Sequence, residues 1–293
     1  MSNSFAAPAW FHDVLAAPYR DHHVDVAGAA LCYRTWGDRD APAIHLVHGG
    51  GAHLHWWDFI APLLAEEYFI LAHDVGGMGD SGYRDAYSPE LFVEEVMAVQ
   101  EDAGLRDRKP VLVGHSMGGA ISLRTGATHG ARLRAVIMVD SPIRPPEDAA
   151  RARRRGSPFK PKRIYEHREA AVERFRLIPD QPCDNDFILR YIAEHSVRET
   201  DGGWTWKFDD KVFATRLFGR GQDALAKLSC PLGVIYGAHS QFFTAEVIAY
   251  MRGLLPPGTP FAAVPEAHHH LFLDQPIAFV AALRTLLSCW PRS

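Results

Sequence analysis

The segment Gly114-His115-Ser116-Met117-Gly118 constrains the fold of this chain more than any other. The apolar stretch Pro110-Val111-Leu112-Val113 precedes it, and Ala120 to Thr128 after it has helical spacing. A strand that turns directly into a helix brings its two flanks very close together. Side chains two positions before and after the central residue would collide with the neighbouring strand and helix, so both are glycine. The central residue, Ser116, is forced into a strained backbone geometry that points its hydroxyl into open space at the carboxyl edge of a sheet.

Apolar runs and helical segments alternate on both sides of this turn. His22 to Val26 and Ala30 to Thr35 read as a hairpin around Ala27-Gly28, and Ala43 to Val47 as a short strand ending in His48-Gly49-Gly50-Gly51. Trp56 to Leu64 reads as a helix, and Phe69 to Ala72 as a strand leading into the glycine-rich loop Asp74 to Gly82. Pro89 to Ala103 is a helix opened by Ser88 as N-cap with proline at the first helical position. Val111 to Val113 and Ala135 to Val139 are strands. Such alternation implies an α/β fold with a mainly parallel, doubly wound sheet and helices on both faces. The pattern stops after Asp140 and resumes with a strand at Leu232 to Tyr236, a helix at Thr244 to Leu254, a strand at Phe261 to Val264 and a helix at Pro276 to Leu287. The expected organisation is a core domain of residues 1–141 and 229–293 with a helical cap, 142–228, inserted after the strand that ends at Asp140.

Bulk properties exclude several classes. A net charge of -4 argues against a nucleic-acid binder, which would be clearly basic. No stretch approaches the apolar length of a membrane span. Met1 to Leu15 lacks a positive n-region and a long apolar run, so no secretory signal is expected. Cys32, Cys183, Cys230 and Cys289 are scattered without a C-x-x-C spacing, which suggests neither a zinc site nor a disulfide framework. A reduced, cytoplasmic chain is expected.

The loop His48-Gly49-Gly50-Gly51, the loop Asp74-x-x-Gly77-x-Gly79-x-Ser81, the turn at Ser116 and a late histidine segment together resemble the α/β-hydrolase fold superfamily, in its capped branch with a serine nucleophile. The resemblance covers nearly the whole chain outside the insertion. It implies that Ser116 is a nucleophile activated by a histidine in the loop after the last strand, here Pro265-Glu266-Ala267-His268-His269-His270. In relatives a proline follows the catalytic histidine by seven positions, with an acidic residue between. Pro276 lies seven after His269 and Asp274 is acidic, so the register selects His269. The trio also admits a reading as a metal-binding or merely polar loop. No second cluster at ligand spacing accompanies it in the sequence, so no metal and no cofactor are expected.

The acid does not follow the commonest pattern. Relatives usually carry it shortly after the strand that follows the cap, where this chain has Gly237-Ala238-His239-Ser240-Gln241. Ser240 cannot hold an imidazolium by charge. The haloalkane and fluoroacetate dehalogenases, pancreatic-type lipases and zearalenone lactonase keep the acid at the end of the strand after the nucleophile's helix, about two dozen residues after the nucleophile. Asp140 stands 24 residues after Ser116, at the end of Val136-Ile137-Met138-Val139. In relatives with the usual acid an aspartate at this place is structural; because the usual acid is missing here, the resemblance favours Asp140 as the group that holds the histidine in the productive tautomer. Asp140→Asn is expected to abolish most activity and Ser240→Ala to change it little.

The resemblance also implies an oxyanion hole made by the backbone N–H groups of Met117 and Gly50. Gly49, Gly51, His53, Trp56, His115, Trp204, Phe242 and His270 are the expected pocket residues, with His115 packed beneath the turn and not acting as a base. Asp80 and Ser81 are expected as turn formers. The aromatic residues Phe159, Trp204, Trp206, Phe208, Phe213 and Phe218 are expected to build the cap's own core, with some facing the site. The arginine run at 151–155 reads as a solvated face.

These features point to hydrolysis of a carboxylic ester or lactone through an acyl-enzyme. The expected partner is a small-molecule substrate with an apolar portion, with no nucleic acid or membrane partner. Serine at the turn argues against dehalogenase and epoxide hydrolase chemistry, which uses aspartate there. Two rivals stay open: a carbon-carbon bond hydrolase or cofactor-free oxygenase on the same scaffold, and a catalytically weak ligand-binding receptor. Substrate identity and oligomeric state are open as well, a homodimer included.

Overall fold

The computed structural model describes residues 7–148, 159, 161–214 and 221–290. The arginine run at 151–155 and Phe218 lie outside them. Eight strands form one sheet: β1 (Arg20–Val26), β2 (Ala29–Trp36), β3 (Ala43–Val47), β4 (Phe69–His73), β5 (Val111–His115), β6 (Ala135–Val139), β9 (Leu232–Gly237) and β10 (Phe261–Val264). Between β6 and β9, β7 (Val197–Thr200) and β8 (Gly203–Trp206) pair as a separate hairpin. The spatial order is β1-β2-β4-β3-β5-β6-β9-β10. β1 pairs antiparallel with β2 and β2 antiparallel with β4, and every later pairing is parallel.

β3, β4, β5 and β6 are buried at all five of their positions, as parallel strands covered on both faces must be. Helices Pro89–Asp102, Met117–His129, Ala245–Leu254 and Pro276–Leu287 supply that cover. The Ser88 hydroxyl accepts from Leu91 N–H at 3.1 Å and caps the first of them, with Pro89 in its first turn. Among the described residues no helix is long and apolar enough to cross a membrane.

Two expectations are corrected. Residues 56–64 do not form an α-helix. They make two 3₁₀ turns, Leu54–Trp56 and Ala61–Leu63. Pro62 has no N–H and disfavours helical geometry at the residue before it, so the helix cannot propagate through it. The segment between β6 and β9 is not purely helical: alongside Arg168–Glu173, Asp186–His195, Asp210–Ala214 and Gly221–Leu225 it holds the β7–β8 hairpin. Asp201-Gly202 forms its turn, with Gly202 at φ +87°, and aspartate-glycine between two strand-like runs is a hairpin signal.

Candidate active site

Five adjacent strands, β3, β5, β6, β9 and β10, run parallel, so their carboxyl ends open on one edge of the sheet. The loop Gly49–Gly51 follows β3, Ser116 follows β5, Asp140 follows β6, Ser240 follows β9 and His269 follows β10. Register sets the spacing. His115 lies opposite Val139, so Ser116 and Asp140 leave the sheet side by side.

Ser116 adopts φ 52° and ψ -115°, the strained conformation expected of the turn. The flanking glycines are explained by contact. A Cβ on Gly114 would collide with Gly118 O, and one on Gly118 with Val47 O. The strain presents a half-buried hydroxyl whose Oγ is 3.0 Å from His269 Nε2. His269 Nδ1 donates to Asp140 Oδ1 at 2.8 Å, with both side chains almost fully buried. Asp140 also has a positive φ, 42°, and accepts two further hydrogen bonds. Gly237 N–H donates to Oδ2 at 2.9 Å and the Ser240 hydroxyl to Oδ1 at 2.7 Å.

Burial pushes the Asp140 carboxyl up to about 7, against the pull of those two donors. Burial likewise pushes His269 down, helped by the charge of Arg144. Each shift disfavours a lone charge, and the three donors around Asp140 counteract it for the carboxylate.

The glycine loop lies directly over the turn. A Cβ on Gly49 would stand 2.9 Å from His115 Nδ1 and 3.3 Å from Ser116 Cβ. Gly50 lies under Phe213 and beside Met117, with a built Cβ 3.2 Å from Phe213 Cε1 and 3.6 Å from Met117 Sδ. Gly51 N–H donates to Met78 Sδ at 3.2 Å, whereas the N–H groups of Gly50 and Met117 have no acceptor among the described residues. Phe159 and Phe213 stack at 3.7 Å above this loop.

The other expected pocket residues divide. His115 is buried beneath the turn and its Nε2 donates to His269 O at 3.0 Å. The Phe242 ring meets His269 edge-on at 4.6 Å, and the His270 ring lies 4.7 Å from that of His269. Gly50, Gly51, His53 and Trp56 line a cavity of about 400 Å³ whose remaining walls come from residues 159–208. Trp204 is not part of that wall; Trp206 is. Trp204 pairs with Glu199, nearer the hairpin tip, while Trp206 pairs with Val197 where the hairpin joins the body.

Ser240 is the residue sequence reasoning passed over. It stands where relatives usually carry the acid, and its hydroxyl donates to Asp140. Asp80 and Ser81 do form a turn: Asp80 N–H donates to Asp74 Oδ2 at 2.8 Å and Ser81 Oγ to Asp74 O at 2.6 Å.

The structure also brings His115, His269 and His270 together, with one ring nitrogen of each within 4.8 Å of the others. Both nitrogens of His269 are engaged, by Asp140 and Ser116, and His115 Nδ1 abuts Gly49. A cation there would have to displace Ser116 from His269, so these residues fit a metal poorly.

The model of the alpha/beta hydrolase family matches residues 46–283. An esterase of Mycobacterium tuberculosis is 28% identical over 277 residues, which cover 89% of this chain and 87% of that protein. Monoglyceride lipase of Rattus norvegicus is 35% identical over 138 residues, 43% of this chain and 44% of the lipase. A crystal structure of an esterase from Mycobacterium tuberculosis shares the fold with a TM-score of 0.72 at 22% identity, covering 98% of this chain and 100% of that one.

Proposed function

This chain belongs to the alpha/beta hydrolase family, and from that membership we propose that it is a serine hydrolase cleaving a carboxylic ester or lactone through an acyl-enzyme. The observation that carries the reading is the continuous chain Ser116 Oγ, His269 Nε2, His269 Nδ1, Asp140 Oδ1, with links of 3.0 and 2.8 Å. The relatives named as an esterase and a lipase support the substrate class.

Asp140 accepts a hydrogen bond from Nδ1–H, so the lone pair of the neutral ring lies on Nε2, facing Ser116. As Ser116 Oγ bonds to the substrate carbonyl carbon, Nε2 takes its proton. The carbonyl oxygen becomes an oxyanion, for which the uncommitted N–H groups of Gly50 and Met117 are the donors. When the tetrahedral intermediate collapses, the imidazolium returns the proton to the departing alkoxide. Water then attacks the acyl-enzyme with the same histidine as base, releasing the acid and restoring Ser116. Residues 142–228 act as a cap over this site, on a core of 1–141 and 229–293.

The test is a panel of p-nitrophenyl esters and lactones of graded chain length, run with the wild type and with Ser116→Ala. Turnover by the wild type and its loss in the variant are expected. No turnover of any ester or lactone, together with oxygen uptake or cleavage of a dienol substrate, would overturn the reading.

A further inference from the structure

The cavity beside Gly50 and Gly51 has an uneven wall. Its apolar part is aromatic and aliphatic, including Phe175, Leu177 and Trp206, while its polar part sets four cations, Arg163, Arg174, Arg176 and Lys207, beside His53, Tyr165 and Ser196. Among the described residues, no aspartate or glutamate lines it.

The four cations are not equivalent. Lys207 is neutralised by Asp80 at 2.8 Å. Among the described residues Arg176 donates only to backbone carbonyls, those of Glu173 and Phe175, which orient its guanidinium without cancelling its charge. The side chains of Arg163 and Arg174 have neither a hydrogen bond nor an ion pair among the described residues. All three arginines are exposed, at the mouth of the cavity. The undescribed stretches nearest in sequence, 149–158, 160 and 215–220, contain no aspartate or glutamate that could pair with them.

The charge distribution of the whole chain agrees. Residues 142–228 carry 18 basic and 14 acidic residues, a net +4, while the remainder carries 13 and 21, a net -8. A cationic mouth set against a negative body draws anions to this opening.

We propose that the substrate bears an anionic oxyacid group, such as the free carboxylate of a hemiester, remote from its scissile carbonyl. Arg163, Arg174 and Arg176 receive that group, and its apolar spacer lies along Phe175 and Trp206. The planar fork of a guanidinium matches a carboxylate in two parallel hydrogen bonds, which an ammonium cannot do. The spacer places the scissile carbonyl toward Gly50, where the cavity meets the glycine loop.

This inference rests on the serine hydrolase reading, and the experiment separates the two. The probes are mono-p-nitrophenyl glutarate, adipate and suberate, each against its own methyl ester, which removes the charge and keeps the spacer. For the wild type, kcat/KM of the best hemiester is expected about tenfold above that of its methyl ester, the yield of two or three exposed ion pairs. The ratio should fall towards one in the Arg163→Gln/Arg174→Gln double variant, and also in about 0.5 M salt, where such pairs are screened. A wild-type ratio at or below one, or a ratio unchanged in the double variant, overturns the proposal. Should the wild type turn over none of these esters, the serine hydrolase reading fails. Charge selection is then read from calorimetric binding to Ser116→Ala: tighter binding of the hemiester supports it, and equal binding of the two overturns it.

Discussion

Replacing Asp140 by asparagine changes one atom and reverses the logic of the histidine. Asparagine has almost the same shape as aspartate, so the position of the side chain is kept, and its neighbours dictate which way the amide turns. Gly237 N–H, 2.9 Å from Oδ2, can only donate, so the amide oxygen must face it. The NH₂ then occupies the place of Oδ1, 2.8 Å from His269 Nδ1. An N–H facing Nδ1 obliges that nitrogen to accept, and the ring proton moves to Nε2. Nε2–H then faces Ser116 Oγ, where the mechanism needs a lone pair. The wrong tautomer costs about 10⁴-fold in kcat, or about 5.4 kcal/mol of transition-state stabilisation. Folding should survive, because burial already pushes the Asp140 carboxyl up to about 7 and a neutral isostere removes that penalty. The assay is kcat on a p-nitrophenyl ester beside Tm by calorimetry. A kcat within about tenfold of wild type, with Tm unchanged, would refute the tautomer argument.

Ser240→Ala removes one of the three donors to Asp140 and leaves Gly237 N–H and His269. We expect a loss of roughly tenfold in kcat, more than the sequence suggested and far less than for Asp140→Asn; equal losses in the two variants would assign Ser240 a larger role. Gly49→Ala drives a methyl to 2.9 Å from His115 Nδ1 and 3.3 Å from Ser116 Cβ. Turnover should fall at least about tenfold as the loop shifts, and wild-type kinetics would show that the loop position does not matter. Acid should destabilise the fold. Burial holds His45, His48, His53, His73, His115 and His270 below the ordinary imidazole value, so the unfolded chain takes up protons below pH 6.5 that the folded chain refuses. Each such group removes about 1.4 kcal/mol of stability at about pH 5.5. Asp74, Glu95 and Asp140, raised by burial, offset part of this. Tm should drop by at least about 5 °C between about pH 7.5 and 5.5, and a flat profile would contradict the account.

The parts of the molecule that sequence made legible are those set by short-range rules. Four five-residue strands buried on both faces read as mainly apolar runs, interrupted only by His45 and by the end residues His73 and Gly114-His115, and the turn at Ser116 needs its glycines for reasons confined to a few residues. The meeting of Ser116, Asp140 and His269 follows from parallel strands ending at one edge, so a strand-end residue could be named without coordinates. Other features depended on contacts distant in sequence. The bond from Ser240 to Asp140 spans 100 residues and involves a side chain that looked like a missing acid. The hairpin at Val197–Trp206 was obscured because Arg198, Glu199 and Thr205 interrupt its apolar pattern, although Asp201-Gly202 marked its turn. The helix expected at 56–64 failed on Pro62, a local signal outweighed in the reading by the apolar residues around it. The cationic mouth gathers Arg163 with Arg174 and Arg176, and no local sequence pattern marks them as sharing one cavity wall.

The central claim is that Ser116 is a nucleophile activated by His269 and Asp140. An alkyl fluorophosphonate reports on it directly, because phosphonylation needs a serine hydroxyl with a base at Nε2 distance. Intact-mass and peptide mapping should find a single phosphonyl adduct on the peptide containing Ser116, formed at least about 10³-fold more slowly in His269→Ala. No adduct, an adduct on another residue, or equal labelling of the two proteins would contradict the account.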